Sequence, residues 1–210
     1  MLYISNLGGR CMGHYSLSKY IKEFDEKIEY INCPTGNMVF LEGFSGLHKL
    51  FDGTFYNTLF NNFEVLSTIF REKENAFSYI LKDLRIVHGN PTDKNFIEKL
   101  LKRWNEFFER IIDENIKNDI HFFYTLNEYD LYKPTSQILR EKEILELYIN
   151  TNNLYILGSI PIDDPNYKNF KYNYRNDNFR EVFGDHYFEV IPSNDHYLAC
   201  KFIYDKLKQD

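Results

Sequence analysis

Residues 1–11 read MLYISNLGGRC, and this opening decides the fold. The run LYISNL at 2–7 is rich in strand formers and stops at Gly8-Gly9. His14, Leu17, Ile21 and Phe24 then recur at helical spacing, and KIEYINC at 27–33 alternates and ends at Pro34. A strand, a glycine turn, a helix and a second strand form the opening unit of a parallel sheet.

The same rhythm continues along the chain. LRIV at 84–87 reads as a strand closed by His88-Gly89-Asn90-Pro91. Thr92 or Asp93 caps a helix expected to run to Lys117, with Phe96, Leu100, Trp104, Phe107 and Ile111 as its apolar stripe. IHFFYTL at 120–126 is a strand, 135–150 a helix, LYILGSI at 154–160 a strand and HYFEVI at 186–191 a strand. Ala199, Phe202, Ile203 and Leu207 stripe a last helix. Residues 36–77 give a blurred signal of short aromatic helices and loops. The expected fold class is α/β: a single domain over 1–210, with a central, mostly parallel sheet and helices on both faces in a Rossmann-like three-layer arrangement.

Composition narrows the function classes. The 210 residues carry a net charge of −6, which argues against general nucleic-acid binding. No apolar run has the roughly 20 residues of a membrane span, and the opening lacks the basic and apolar regions of a secretion signal. Three cysteines make no disulfide framework, so a cytoplasmic location is expected. The 17 Tyr and 19 Phe reflect either a compositional bias or an aromatic-lined cleft. Walker, GxGxxG, CxxC and HExxH motifs are absent from the sequence, and no cofactor is expected. Asp163, Asp164, Asp177 and Asp185 read as a solvated acidic surface, so no metal is expected either. The sequence leaves the oligomeric state open.

In open parallel sheets a ligand sits beyond the carboxyl ends of the strands. Residues following the expected strands therefore become candidates. Cys11 is the sharpest, because a thiol near a helix N-terminus loses its proton more easily. The alternative is a small apolar residue filling the strand–helix junction. Gly8, Gly9, Arg10 and Met12 surround it, and the backbone amides of 9–12 are placed to hold an oxyanion. His88 and His196 compete as its base, the latter with Asp195 beside it. Asn90 and Asn127 also follow strands and are candidate substrate groups. Cys33, Cys200, His14, His48, His121 and His186 read as structural or surface residues.

Ser5-Asn6-Leu7-Gly8-Gly9-Arg10-Cys11 resembles the opening strand and SLGxxC motif of a bacterial family of unknown function labelled papain-like cysteine peptidases. Leu17, FSGLHKLFDGTF at 44–55, His88, KRWNEFFERI at 102–111 and HFFYTLNEYD at 121–130 follow in a similar order. The family usually shows an aromatic-Asp-Trp motif after its first helix, where this chain reads INCPTGN. This resemblance implies Cys11 as nucleophile and His88 as base. The layout is also similar to that of SGNH-type esterases and acyltransferases. That second resemblance implies Gly89 and Asn90 as the oxyanion block and Asp195 and His196 as a late dyad, although the dyad is here contiguous and no GDS sequence is present. Two functions follow as expectations. One is a cysteine-dependent acyl-transfer or hydrolytic enzyme acting on an amide, ester or thioester of a small molecule, peptide or glycan. The other is a non-catalytic module that binds a sugar or peptide.

Overall fold

Strand β1 (Leu2–Asn6) lies between β2 (Ile28–Tyr30) and β7 (Ile120–Thr125), parallel to both. The computed structural model describes residues 1–8, 28–40, 42–61, 64–72, 75–87, 89–159, 174–190 and 205. Beyond β7 come β8 (Leu154–Ser159) and β9 (Tyr187–Val190), also parallel, so the sheet runs β2-β1-β7-β8-β9. Numbered within this sheet alone, the order is 2-1-3-4-5. The direction of winding therefore reverses between β1 and β7. The expected strands at the start, at 120–126, at 154–160 and at 186–191 are all present, as Leu2–Asn6, Ile120–Thr125, Leu154–Ser159 and Tyr187–Val190.

Both faces of this sheet are buried, which is why its strands read as near-continuous apolar runs. One face presents Leu7, Phe122, Tyr124, Leu126, Leu154 and Ile156 to a large cluster. That cluster also holds Trp104 and Phe107 of helix α2 (Lys94–Ile111), Ile138 and Leu145 of α3 (Thr135–Leu145), and Phe179 and Phe183 of α4 (Asp177–Phe183). Phe44 sits at its centre, edge-on to Tyr124, Phe179 and Phe183 at centroid distances of 5.4, 5.2 and 5.7 Å. The other face gathers Ile4, Phe123, Tyr155, Leu157 and Phe188. The helical stripes expected at 14–24 and 199–207 lie outside the described residues.

The capping expectation resolves to Asp93, whose side chain accepts from the Asn95 amide at 2.9 Å. The α2 stripe is buried from Leu100 to Ile111, with Phe96 partly covered. The helix stops at Ile111, short of Lys117, because the Asp113 carboxylate takes the Asn115 amide at 3.0 Å and turns the chain. Ile116 still reaches the core from that turn.

One expectation needs correction. The strand at 84–87 forms as β6 (Leu84–Ile86), but it does not join the parallel sheet. It pairs antiparallel with β3 (Met38–Phe40) and with β5 (Ala76–Ile80), which in turn pairs with β4 (Ser67–Arg71). Sequence reading missed three of these four strands. Their polarity explains it: β5 buries Ser78 and exposes Phe77, and β4 exposes Ile69 and Phe70, so the usual apolar-in alternation is lost. Leu81, Leu84 and Ile86 nonetheless pack into the large cluster beside Phe55 and Leu59 of helix α1 (Thr54–Phe60). Among the described residues no helix is long and apolar enough to cross a membrane.

Phe123 is fully buried between Ile4 and Tyr155 on the second face. Phe123→Asp would place an unpaired carboxylate there and is expected to cost about 4 kcal/mol or more. Thermal denaturation followed by circular dichroism should show a melting temperature lower by roughly 10 °C. An unchanged midpoint would contradict burial at the centre of the sheet.

Candidate functional site

The reversal between β1 and β7 is where an open parallel sheet leaves a crevice at its carboxyl edge. Two side chains build that edge on the second face. Asn6 ends β1, and its Oδ1 accepts the Gly8 amide at 3.3 Å. Thr125 ends β7, and its amide donates to the Gly8 carbonyl at 3.2 Å. Gly8 adopts φ 105°, a backbone state that favours glycine, and turns the chain out of the sheet. Strand alternation puts Asn6 on the face of Ile4 and Thr125 on the face of Phe123. Both residues are buried, yet among the described residues Asn6 Nδ2 and Thr125 Oγ1 have no hydrogen-bond partner.

On the other face two hydroxyls of this edge have backbone partners. Ser5 Oγ donates to the Ile31 carbonyl and Thr35 Oγ1 to the Leu7 carbonyl, each at 2.9 Å. The Cys33 sulfur lies 2.9 Å from Thr35 Oγ1, and burial pushes its thiol up to about 12. A thiol so buried and so slow to ionise matches the structural role expected for Cys33.

The loop after β7 is organised by a buried carboxyl. Asp130 accepts from the Phe44 amide at 2.6 Å, the Asn127 amide at 3.0 Å and the Tyr124 hydroxyl at 3.0 Å. Desolvation outweighs these donors and raises its carboxyl to about 6. The Asp130 carbonyl also accepts Asn176 Nδ2 at 2.7 Å, which ties the cap of α4 to the same loop. Gly43, at φ 61°, leads into Phe44, and a Cβ there would collide with Asp130 Oδ1.

The expected site residues fall unevenly on this frame. Gly8 is at the carboxyl edge of β1. Asn127 is buried, its Oδ1 accepting the Tyr129 amide at 2.9 Å and its Nδ2 donating to Tyr124 Oη at 3.3 Å, so it orders the Asp130 loop. Asn90 is exposed, and its side chain accepts from the amide and hydroxyl of Thr92 at 3.0 and 2.8 Å. Gly89 lets the backbone pass against the Phe96 ring, where a Cβ would collide. Gly9, Arg10, Cys11, Met12, His88, Asp195 and His196 lie outside the described residues, as do His14, Cys200, Asp163 and Asp164. His88 follows a strand of the antiparallel sheet, so the rule for parallel strand ends does not bear on it.

The remaining histidines have packing partners. His48 gives its backbone amide and Nδ1 to the buried Glu141 carboxylate, at 2.6 and 2.9 Å. The rings of His121 and His186 stack on Tyr155, at centroid distances of 5.7 and 4.9 Å. Among the described residues no group of three or more His, Cys, Asp or Glu side chains is arranged to hold a metal ion. Sequence reasoning did not single out Asn6, Thr125 or Asp130. The first two sit inside strand runs, where polar residues usually face solvent.

Asp130 makes a stability prediction. Its folded pKa lies above the unfolded value, so its protonated form stabilises the fold below about pH 4 and that contribution is lost as pH rises through about 6. Asp130→Asn should destabilise the protein by about 2–3 kcal/mol at pH 7, because an amide NH2 would then oppose a backbone or hydroxyl donor. The gap between wild type and variant should be wider at pH 4 and narrow toward pH 6. Urea unfolding across that range measures it, and a gap that widens with rising pH would refute the assignment.

No family model, curated protein or solved structure matches the chain, so the chemistry of this edge rests on its own residues.

Proposed function

We propose that the chain is a cysteine-dependent acyl-transfer or hydrolytic enzyme, with Cys11 as nucleophile at the carboxyl edge of β1. One observation carries this reading. β1 is the strand at which the order of the parallel sheet reverses, and its end passes through Gly8 straight to Gly9-Arg10-Cys11. Three residues of chain span at most roughly 11 Å, which limits how far Cys11 can stand from Gly8. The two unpartnered polar atoms of Asn6 and Thr125 add to the same neighbourhood.

In the proposed reaction the Cys11 thiolate attacks the carbonyl carbon of an amide, ester or thioester on a small molecule, peptide or glycan. The sulfur–carbon bond forms as the leaving group departs with a proton from the assisting histidine. Water or a second acceptor then releases the acyl group. His88 is the first candidate for the histidine, on the strength of the resemblance to the peptidase-labelled family. His196 is the alternative that the SGNH-like layout favours. It follows β9, which stands three strand spacings, roughly 14 Å, from β1.

The single-domain, three-layer arrangement belongs to the same proposal. It is supported by the burial of both sheet faces and by the amphipathic stripes at 14–24 and 199–207. The free, buried Cys33 and the odd cysteine count support a reducing, cytoplasmic setting.

Iodoacetamide labelling followed by mass spectrometry tests the nucleophile. Cys11 should react before Cys33 and Cys200 at neutral pH, with a pH midpoint below the free-thiol value of about 8.5. His88→Ala should move that midpoint back toward 8.5, while His196→Ala should leave it nearly in place. Preferential labelling of Cys33 or Cys200 would overturn the assignment, and the opposite ranking of the histidines would transfer the base to His196.

A further inference from the structure

Buried polar atoms without partners are uncommon in folded proteins and each calls for a physical reason; seven side-chain atoms among the described residues are of this kind. Asn6 Nδ2 and Thr125 Oγ1 are two of them, and they share one face at the carboxyl ends of adjacent strands. Asn6 is registered against Phe123, so Thr125 is its diagonal neighbour two residues further along β7. With strands roughly 4.8 Å apart and a rise of roughly 3.3 Å per residue, such neighbours sit about 8 Å apart, a span that one small group bound between two side chains can bridge. Between them the chain contributes Gly8, which adds no side chain.

The donor character of this pair is set by the backbone. Gly8 donates its amide to Asn6 Oδ1, so the amide group of Asn6 turns its NH2 end away from Gly8 and cannot be flipped without opposing two donors. The Thr125 hydroxyl rotates freely and can donate as well. Two neutral donors on one face suit an oxygen carrying partial or developing negative charge. A bare cation would find no carboxylate in this pair.

We infer that Asn6 and Thr125 form the subsite for the acyl oxygen of the substrate, holding the carbonyl of an amide, ester or thioester and the tetrahedral oxyanion derived from it. The inference rests on the reading of Cys11 as nucleophile and adds the two side chains that would polarise the bond it attacks. It also gives a reason for polar residues in the interior of an apolar sheet.

An aldehyde probe separates the two ideas. Acetaldehyde labelled with 13C at its carbonyl adds reversibly to a thiol. The sulfur–carbon bond forms, the carbonyl π bond opens, and the thiol proton passes to the oxygen, which becomes a tetrahedral hydroxyl. The 13C shift of this hemithioacetal distinguishes it from free aldehyde and hydrate, and Cys11→Ser identifies the signal. Wild type should form the adduct on Cys11. Asn6→Ala and Thr125→Val should each weaken it roughly five- to tenfold. Thr125→Ser, which keeps the hydroxyl, should restore most of the affinity, and circular dichroism should show all variants folded.

Adduct of equal stability in wild type, Asn6→Ala and Thr125→Val would overturn the subsite while leaving Cys11 as nucleophile. That result, with a lower melting temperature for Thr125→Val, would assign the hydroxyl to an internal water instead. No adduct on Cys11 in wild type would overturn both readings together.

Discussion

The parallel pairing of β1 with β7 is the constraint on which the rest of the structure depends. Parallel neighbours cannot be joined by a tight turn, so everything between them in the chain must cross over and return. Here the crossover contains β2, the whole antiparallel sheet and helix α2. The pairing is held by backbone bonds such as Leu7 amide to Phe123 carbonyl at 2.8 Å, and by burial on both faces. It makes β1 a central strand, reverses the winding of the sheet beside it, and brings the ends Asn6-Leu7-Gly8 and Thr125-Leu126-Asn127 together.

That edge is divided by chemistry. On one face Ser5 and Thr35 bond to backbone carbonyls, and Cys33 is buried beside Thr35. Beyond β7, the buried Asp130 gathers two backbone amides and a phenol, fixing the loop against Phe44 and α4. On the opposite face Asn6 and Thr125 keep an amide and a hydroxyl without partners. Fixed donors beside an ordered frame are what the proposed positioning of a reacting oxygen would require. In the proposed function, the closeness of Cys11 in the chain would give that arrangement a reaction to serve.

The antiparallel sheet has a different character. It joins the large cluster through Leu81, Leu84 and Ile86, while β4 and β5 leave Ile69, Phe70 and Phe77 about half exposed. Its strands sit at the margin of the core, and their side chains carry little burial energy to mark them in the sequence. The same marginal position removes the geometric ground for His88. The histidine follows a strand, but one whose end is not part of the parallel edge.

The sequence by itself determined the parts whose periodicity is paid for by burial. LYISNL, IHFFYTL and LYILGSI declare themselves because both faces of a parallel sheet exclude water, and the Leu100-Trp104-Phe107-Ile111 stripe does so because one face of α2 meets the core. A cap at Thr92 or Asp93 and the structural role of Cys33 were legible for equally local reasons, and the structure assigns the cap to Asp93. What only the tertiary structure decided is which strands share a sheet, since pairing partners lie far apart in the chain and period carries no record of them. Leu84-Arg85-Ile86 looks like any other strand until its antiparallel neighbours are known. Asn6 and Thr125 look like ordinary polar residues until the β1–β7 register sets them on one face, because an unmet hydrogen bond is a property of the surroundings and not of the residue.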